Sequence, residues 1–281
     1  MDQILPRIFD LYGWRKKMNL NYINRVFSLQ GQEAVITGAS SGIGRGIAVS
    51  LANLGANVTL LGRNQEGLAE TGRQIGKEGG SCESYQVDIT SEEQVEKFFQ
   101  VHWDKHQRMD IFVANAGINY RAELLESEME EIDRVIQTDY KGTIYGVIRA
   151  GKIMRKQKSG NIVIITSING ISAMGNLAVY SSIKYALEGL TRALASSLGP
   201  YGVRVNSCAP GVILSNINKN VYDKESNRKA KLQSIPLGRI GNPEDIGDVV
   251  ACMVSDAFRF MTGTTVLVDG GELMRGMQKQ D

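Results

Sequence analysis

Ala34-Val35-Ile36-Thr37-Gly38-Ala39-Ser40-Ser41-Gly42-Ile43-Gly44 is the stretch on which the fold turns. A short β-favouring apolar run leads into a G-x-x-x-G-x-G string, and a helical pattern, Ile43 to Leu54, opens on its last glycines. A glycine string means little alone; between a first strand and a first helix it reads as a dinucleotide loop. Gly38 suits the tight turn, Gly42 lets backbone approach a pyrophosphate, and Gly44 lets the helix pack close to the sheet. The phosphates then meet unpaired N–H groups and the positive end of the helix dipole.

Outward from that loop the pattern repeats. Further apolar runs occur at Val58 to Leu61, Tyr85 to Val87, Ile111 to Ala114, Ile162 to Thr166, Val203 to Ala209 and Thr265 to Val268. Helical stretches lie between them, among them Glu92 to His106, Met129 to Ala150, Val179 to Leu198 and Pro243 to Ser255. Runs such as Ile162 to Thr166 are apolar throughout, as expected of strands covered on both faces. Strict β-α alternation predicts an α/β protein with a doubly wound parallel sheet of about seven strands. No repeat or linker divides it, so residues 26–281 read as one domain.

The 281 residues carry a formal charge of +2, which gives no electrostatic case for nucleic acid. The apolar runs are far short of a membrane span. Cys82, Cys208 and Cys252 are scattered and read as reduced thiols, which predicts a cytoplasmic setting. Residues 1–25 stand apart as a basic amphipathic arm, with Ile4, Ile8, Leu11 and Tyr12 at helical spacing. The arm lacks the apolar core of a signal peptide, and it is expected to pack on its own body or on a neighbouring subunit.

Tyr180 and Lys184 lie four residues apart, thirteen and more beyond Ser167. If Tyr180 to Leu190 is helical, phenol and ammonium share one face. A neighbouring cation favours the phenolate, and Ser167 is placed to hold a substrate oxygen. At the end of the second strand, Leu60-Leu61-Gly62-Arg63-Asn64 has no acid before Glu66. An acid there would bind ribose hydroxyls; Arg63 suits a 2′-phosphate. Asp88, after the third strand, is placed for an adenine amino group. Asn115-Ala116-Gly117 closes the fourth strand, where backbone can pass close to a cofactor. Arg45 is expected to point outward.

Together, Thr37 to Gly44, Asn115-Ala116-Gly117, Ser167, Tyr180-Ser181-Ser182-Ile183-Lys184 and Pro210-Gly211 resemble the shorter branch of the short-chain dehydrogenase/reductase superfamily. The resemblance covers roughly residues 28 to 272. It implies a single-domain Rossmann fold, with Tyr180 as general acid/base, Lys184 lowering its pKa and binding the nicotinamide ribose, and Ser167 orienting the substrate. It implies NADP (NADPH) contacts from Gly38, Ser40, Ser41, Gly42, Ile43, Gly44, Arg63, Asn64, Asp88, Ile89, Asn115, Ala116, Gly117, Tyr180 and Lys184. Pro210, Gly211, Val212 and Ser215 complete that set at the nicotinamide. A homotetramer, with a homodimer as alternative, and a small-molecule substrate follow from the same resemblance. One position departs from it: where the family usually has an Asn in its fourth long helix, this chain has Asp139. A carboxylate has no N–H to donate, so a water relay to Lys184 is either weakened or held by backbone, and a negative charge stabilises the ammonium.

The substrate is less defined. Phe27-Ser28-Leu29-Gln30-Gly31 is similar to sugar-acid and polyol dehydrogenases of the superfamily, such as gluconate 5-dehydrogenase; residues 172–195 equally resemble 3-oxoacyl-carrier-protein reductases. The polar stretch Ser215 to Ser234, with Asn216, Asn218, Lys219, Asn220 and Lys224, reads as an irregular lid within 212–235 and suits a polar ligand. A ketone reductase acting on a sugar acid or polyol is the leading reading; a carrier-protein reductase and an NADP(H)-binding sensor are the alternatives. His102 and His106, an i,i+4 pair, read as a solvated helix face, and no metal is expected. Met253, Met261, Met274 and Met277 read as residues that pack a core or a subunit contact.

Overall fold

Strands apolar on both faces need cover on both faces, and helices supply it here. A computed structural model describes residues 19–215 and 219–275. Helix α1 (Leu20–Phe27) precedes β1 (Glu33–Thr37), α2 (Gly42–Asn53), β2 (Asn57–Gly62), α3 (Gln65–Lys77), β3 (Ser81–Gln86), α4 (Glu92–His106) and β4 (Ile111–Ala114). Then come α5 (Met129–Val135), a π-helical segment (Ile136–Lys141), α6 (Gly142–Gln157), β5 (Gly160–Ile165), α7 (Ala178–Leu198) and β6 (Val203–Pro210). Short α8 (Lys219–Tyr222) and α9 (Glu225–Gln233) lead to α10 (Pro243–Val254), β7 (Thr265–Val268) and α11 (Glu272–Arg275).

All seven strands are parallel, in the order β3-β2-β1-β4-β5-β6-β7. The chain therefore reverses its direction of winding at β1 and β4, which pair through Val35 and Phe112. Loops leave the carboxyl ends of these two strands in opposite directions and open a crevice between them, the usual ligand position in such sheets. Alternate strand residues feed two cores. Ile36, Leu60, Ile111 and Val113 pack with Ile47, Leu51, Ile246 and Val250 of α2 and α10. Val35, Phe112, Ile162 and Ile164 pack with Phe98, Phe99, Val147 and Leu187 of α4, α6 and α7.

Several expectations are corrected. The third strand begins at Ser81, because an edge strand paired only to β2 keeps polar residues and lacks an apolar run. The helix expected over Met129 to Ala150 is interrupted by the π turn and continues to Gln157. The stretch 215–234 is not irregular where described: α9 is helical, but its side chains are so widely exposed that no apolar stripe marks it. Helix α1 runs across residue 25, where the sequence puts the end of the arm; it is capped by Asn19 and buried at Val26. His102 and His106 are not on a solvated face. His102 is fully buried, and burial, with His106 adding to it, pushes its imidazole down to about 4. Met253 is buried and Met261 packs on the core, whereas Met274 is exposed. Burial pushes the Cys208 thiol up to about 12, consistent with an inert thiol. Residues 1–18, with Ile4, Ile8, Leu11 and Tyr12, lie outside the described residues, as do Asn216, Asn218 and Met277. Among the described residues no helix is long and apolar enough to cross a membrane.

Helices α2 and α10 cross so closely that a Cβ on Gly247 would lie 2.5 Å from the Gly46 carbonyl oxygen, whereas one on Gly76 would meet nothing within 4 Å. The same substitution is thus expected to act with opposite sign. In urea unfolding, Gly76→Ala should stabilise by roughly 0.5–1 kcal/mol through helix propensity. Gly247→Ala should destabilise by at least about 1 kcal/mol through overpacking; equal effects would contradict the crossing.

Candidate active site

The crevice at the β1–β4 switch is a cavity of about 410 Å³. Its floor is the loop after β1. Gly38 and Gly42 hold φ values of +69° and +53°, which L side chains rarely adopt. A Cβ on Gly38 would also lie 2.8 Å from Asn115 Nδ2 and 2.9 Å from Ala116 Cα. Ser41 is the N-cap of α2 yet makes no side-chain cap bond, so the first N–H groups of the helix lack the usual side-chain acceptor. Asn115 ties the fourth strand to this loop, donating from Nδ2 to Thr37 O at 2.9 Å, while its own N–H and that of Ala116 donate to Thr37 Oγ1 at 3.0 Å. An uncapped helix start beneath a loop bounded by two glycines fits a dinucleotide pyrophosphate.

Arg63 follows β2 exposed at the cavity's edge. Asn64 caps α3 by accepting from Gly67 N at 2.9 Å. Asp88 Oδ1 accepts from the N–H and hydroxyl of Thr90 at 2.9 and 2.8 Å, and Ile89 continues that wall. Arg45, expected to point outward, folds back instead. Its Nη2 donates to Ser40 O at 2.6 Å and its Nε to Thr71 Oγ1 at 3.0 Å, because the Ser40 carbonyl needs a donor where the loop turns away from the sheet. It braces the loop against α3.

At the other end, half-buried Tyr180 stands in the first turn of α7, and Lys184 Nζ lies 5.3 Å from its ring centre. Lys184 is buried; its ammonium donates to Ile165 O at 3.4 Å and faces Asp139 Oδ2 at 3.3 Å. Burial opposes that charge, but Tyr180 and Asp139 outweigh it and hold the ammonium above its ordinary value. Asp139 is itself fixed: Oδ1 accepts from Ile118 N at 2.7 Å, whereas Oδ2 has no well-directed hydrogen bond. The π turn puts Thr138 and Asp139 on the cavity wall; π turns often mark functional sites. Ser167 follows Thr166 at the end of β5. Its Oγ accepts from Asn169 N at 3.1 Å and Nδ2 at 3.3 Å, which leaves its own proton to donate.

Gly38, Ser40, Ser41, Gly42, Ile43, Gly44, Arg63, Asn64, Asp88, Ile89, Asn115, Ala116, Gly117, Tyr180, Lys184 and Ser215 are thus brought to one cavity. Ser167 adjoins it through Thr166 but does not line it. Pro210, Gly211 and Val212 do not line it either; Gly211 N donates to Val268 O at 3.0 Å and Val212 N to Glu272 Oε2 at 3.3 Å. Gly62, Val87, Ile118, Asn119, Thr138, Ile165 and Thr166 line it without having been expected. Most sit at or next to carboxyl ends of strands, a positional signal in the sequence; Thr138 depends on the π turn and carried none.

Residues 38–272 match the family model described as enoyl-(acyl carrier protein) reductase. A 3-oxoacyl-[acyl-carrier-protein] reductase of Synechocystis sp. is 34% identical over 88% of this chain and 99% of its own. Dehydrogenase/reductase SDR family member 4 of Sus scrofa is 30% identical over 93% of this chain and 95% of its own. A structure provisionally described as an NAD(P)-dependent gluconate 5-dehydrogenase from Beutenbergia cavernae, with NADP bound at low occupancy, superposes with a TM-score of 0.84. It shows 35% identity and covers 88% of this chain and 99% of its own. A parallel sheet wound in both directions, a glycine-floored crevice at its switch and a buried lysine beside a tyrosine accord with these matches, and the chain belongs to the short-chain dehydrogenase/reductase family of oxidoreductases acting on CH–OH groups.

Proposed function

We propose that the protein reversibly reduces a polar ketone, a keto-sugar acid or polyol ketone, with NADPH. The observation that carries the reading is the buried ammonium of Lys184 held 5.3 Å from the Tyr180 ring, in a cavity that Arg63 flanks at the β2 end. Bound nicotinamide supplies hydride in the reducing direction and accepts it in reverse. The chain's own groups handle the oxygen. Ser167, with both its acceptor sites facing Asn169, donates to the carbonyl oxygen. Tyr180 donates a second hydrogen bond and gives up its proton as charge builds on that oxygen. Lys184 compensates the charge left on the phenol, and Asp139 keeps Lys184 cationic so far from water.

Arg63 supports NADP over NAD, since a planar guanidinium grips a phosphate bidentately and no acid intervenes before Glu66. Asp88 Oδ2 is the oxygen left for an adenine amino group. The exposed cations Lys224, Arg228 and Lys229, in the segment 212–235 that we read as a lid, suit a negatively charged substrate group. The same cations, with the 34% identity to the Synechocystis enzyme, support a second reading as a 3-oxoacyl-carrier-protein reductase. A tetramer or dimer belongs to the proposal too, with exposed Leu125, Leu237 and Phe260 available to a second copy.

NADPH oxidation should be followed against keto-sugar acids, 3-oxoacyl thioesters and diketones, in both directions. Turnover of keto-sugar acids is expected; faster turnover of thioesters would select the second reading, and silence with NADPH still bound would contradict ketone reduction. Tyr180→Phe should lower kcat by about 10²–10⁴-fold, the usual worth of a general acid, with NADPH binding unchanged. Loss of a charge-assisted bond of about 1.5–3 kcal/mol predicts that Arg63→Ala raises KM for NADPH roughly 10- to 100-fold. KM for NADH should barely move, and equal effects on the two would remove Arg63 from the phosphate.

A further inference from the structure

A second cluster of chemically capable side chains lies at the opposite end of the sheet, beside the first residues of β1, β2 and β3. One ring nitrogen each from His102 and His106 and one carboxylate oxygen of Glu83 lie within 4.8 Å of one another. The two histidines are a helical turn apart on α4, with ring centres separated by 4.7 Å, and Glu83 faces them from β3. A cavity of about 360 Å³ opens beside them.

Protonation is set by the surroundings. His102 Nε2 lies 3.2 Å from Arg108 O, and a carbonyl only accepts, so Nε2 carries the proton. Nδ1 is therefore a bare lone pair, fully buried and without a hydrogen-bond partner. Buried polar atoms are rarely left so. On His106, Nδ1 lies 3.3 Å from Glu33 Oε2, and Nε2 lies 2.7 Å from Glu83 Oε1. Glu33 is held in turn, its Oε1 accepting from Asn57 Nδ2 at 2.8 Å. Each imidazole thus has an acceptor on one nitrogen, while the other nitrogen is without a partner on His102 and lies against Glu83 on His106. Metal-ligating histidines carry this outer bond to a carbonyl or carboxylate, which fixes their orientation and tautomer.

We propose that Glu83, His102 and His106 form a binding site for a divalent transition ion of the zinc type, with Glu33 as its outer support. Two imidazoles and one carboxylate are a common zinc ligand set, leaving a position for water. On binding, the His106 proton resides on Nδ1 facing Glu33, and Nε2 becomes a ligand. Lys105 is the competitor: its ammonium already pairs with Glu83 Oε2, and the hydroxyls of Thr59 and Tyr85 also reach Glu83. Lys105 is more than half exposed and is free to swing into water. The ion would tie the end of α4 to β3 and, through Glu33, to β1, so its role is structural or regulatory rather than catalytic.

The test is titration of untagged, chelator-treated protein with Zn²⁺ by calorimetry and with Co²⁺ by visible absorption. One equivalent is expected to bind, with cobalt bands of a nitrogen–oxygen site and a raised melting temperature. His106→Ala and Glu83→Gln should each abolish that binding, with NADPH binding unchanged as evidence of folding. Glu33→Gln should weaken it by roughly 10- to 100-fold, as loss of an outer carboxylate does. Lys105→Ala should tighten it by freeing Glu83. Absence of saturable binding to the unsubstituted protein would overturn the proposal, as would binding retained in folded His106→Ala and Glu83→Gln.

Discussion

Lys184 is an ammonium with almost no access to water, and the candidate site is arranged around what that demands. An isolated buried charge is costly, and removing one partner of a buried pair typically costs about 3–5 kcal/mol. The chain answers with Asp139 at 3.3 Å, the Ile165 carbonyl at 3.4 Å and the Tyr180 ring at 5.3 Å. Those three come from the π turn, from β5 and from the same helix as the lysine, so one cation gathers three elements. Asp139 extends the set to the loop after β4 through the Ile118 N–H. With its folded value raised above 10.5, Lys184 contributes stability that is complete below that value and is lost as pH rises through the higher folded one.

The fold supplies the rest by topology. Because β1 sits between β2 and β4, the loop bearing Gly38, the end of β2 bearing Arg63 and the end of β4 bearing Asn115 open on one side of the sheet. Asn115 and Arg45 hold the glycine loop from its two flanks, one from β4 and one across to α3. The amino end of α2, without a side-chain cap, is kept in place by these two contacts.

Much of this was legible in the sequence where local pattern and global fold agree. The apolar runs of β1, β4, β5 and β7 and the glycine spacing depend on neighbours in the chain, and their elements lie where pattern puts them. The polar edge strand Ser81–Gln86 shows in the sequence only at its end, since an edge strand does not need two apolar faces. Periodicity does not place Arg45 or His102, because their partners, Ser40, Thr71 and Arg108, lie across turns that it does not describe. Asp139 is legible as a departure, and so is its charge near Lys184, but the π turn on which it sits is announced by no residue pattern.

The geometry makes Asp139 the group that keeps Lys184 charged, a role open to measurement. Its most direct test is the titration of the Lys184 side chain by NMR in protein carrying ¹³C-labelled lysine, compared with Asp139→Asn. Lys184 is expected to titrate above the exposed lysines in the unaltered protein and to fall toward or below them in the variant. A Lys184 that titrates with or below the exposed lysines from the start, or that does not move on loss of the Asp139 charge, would show that Asp139 does not set its charge.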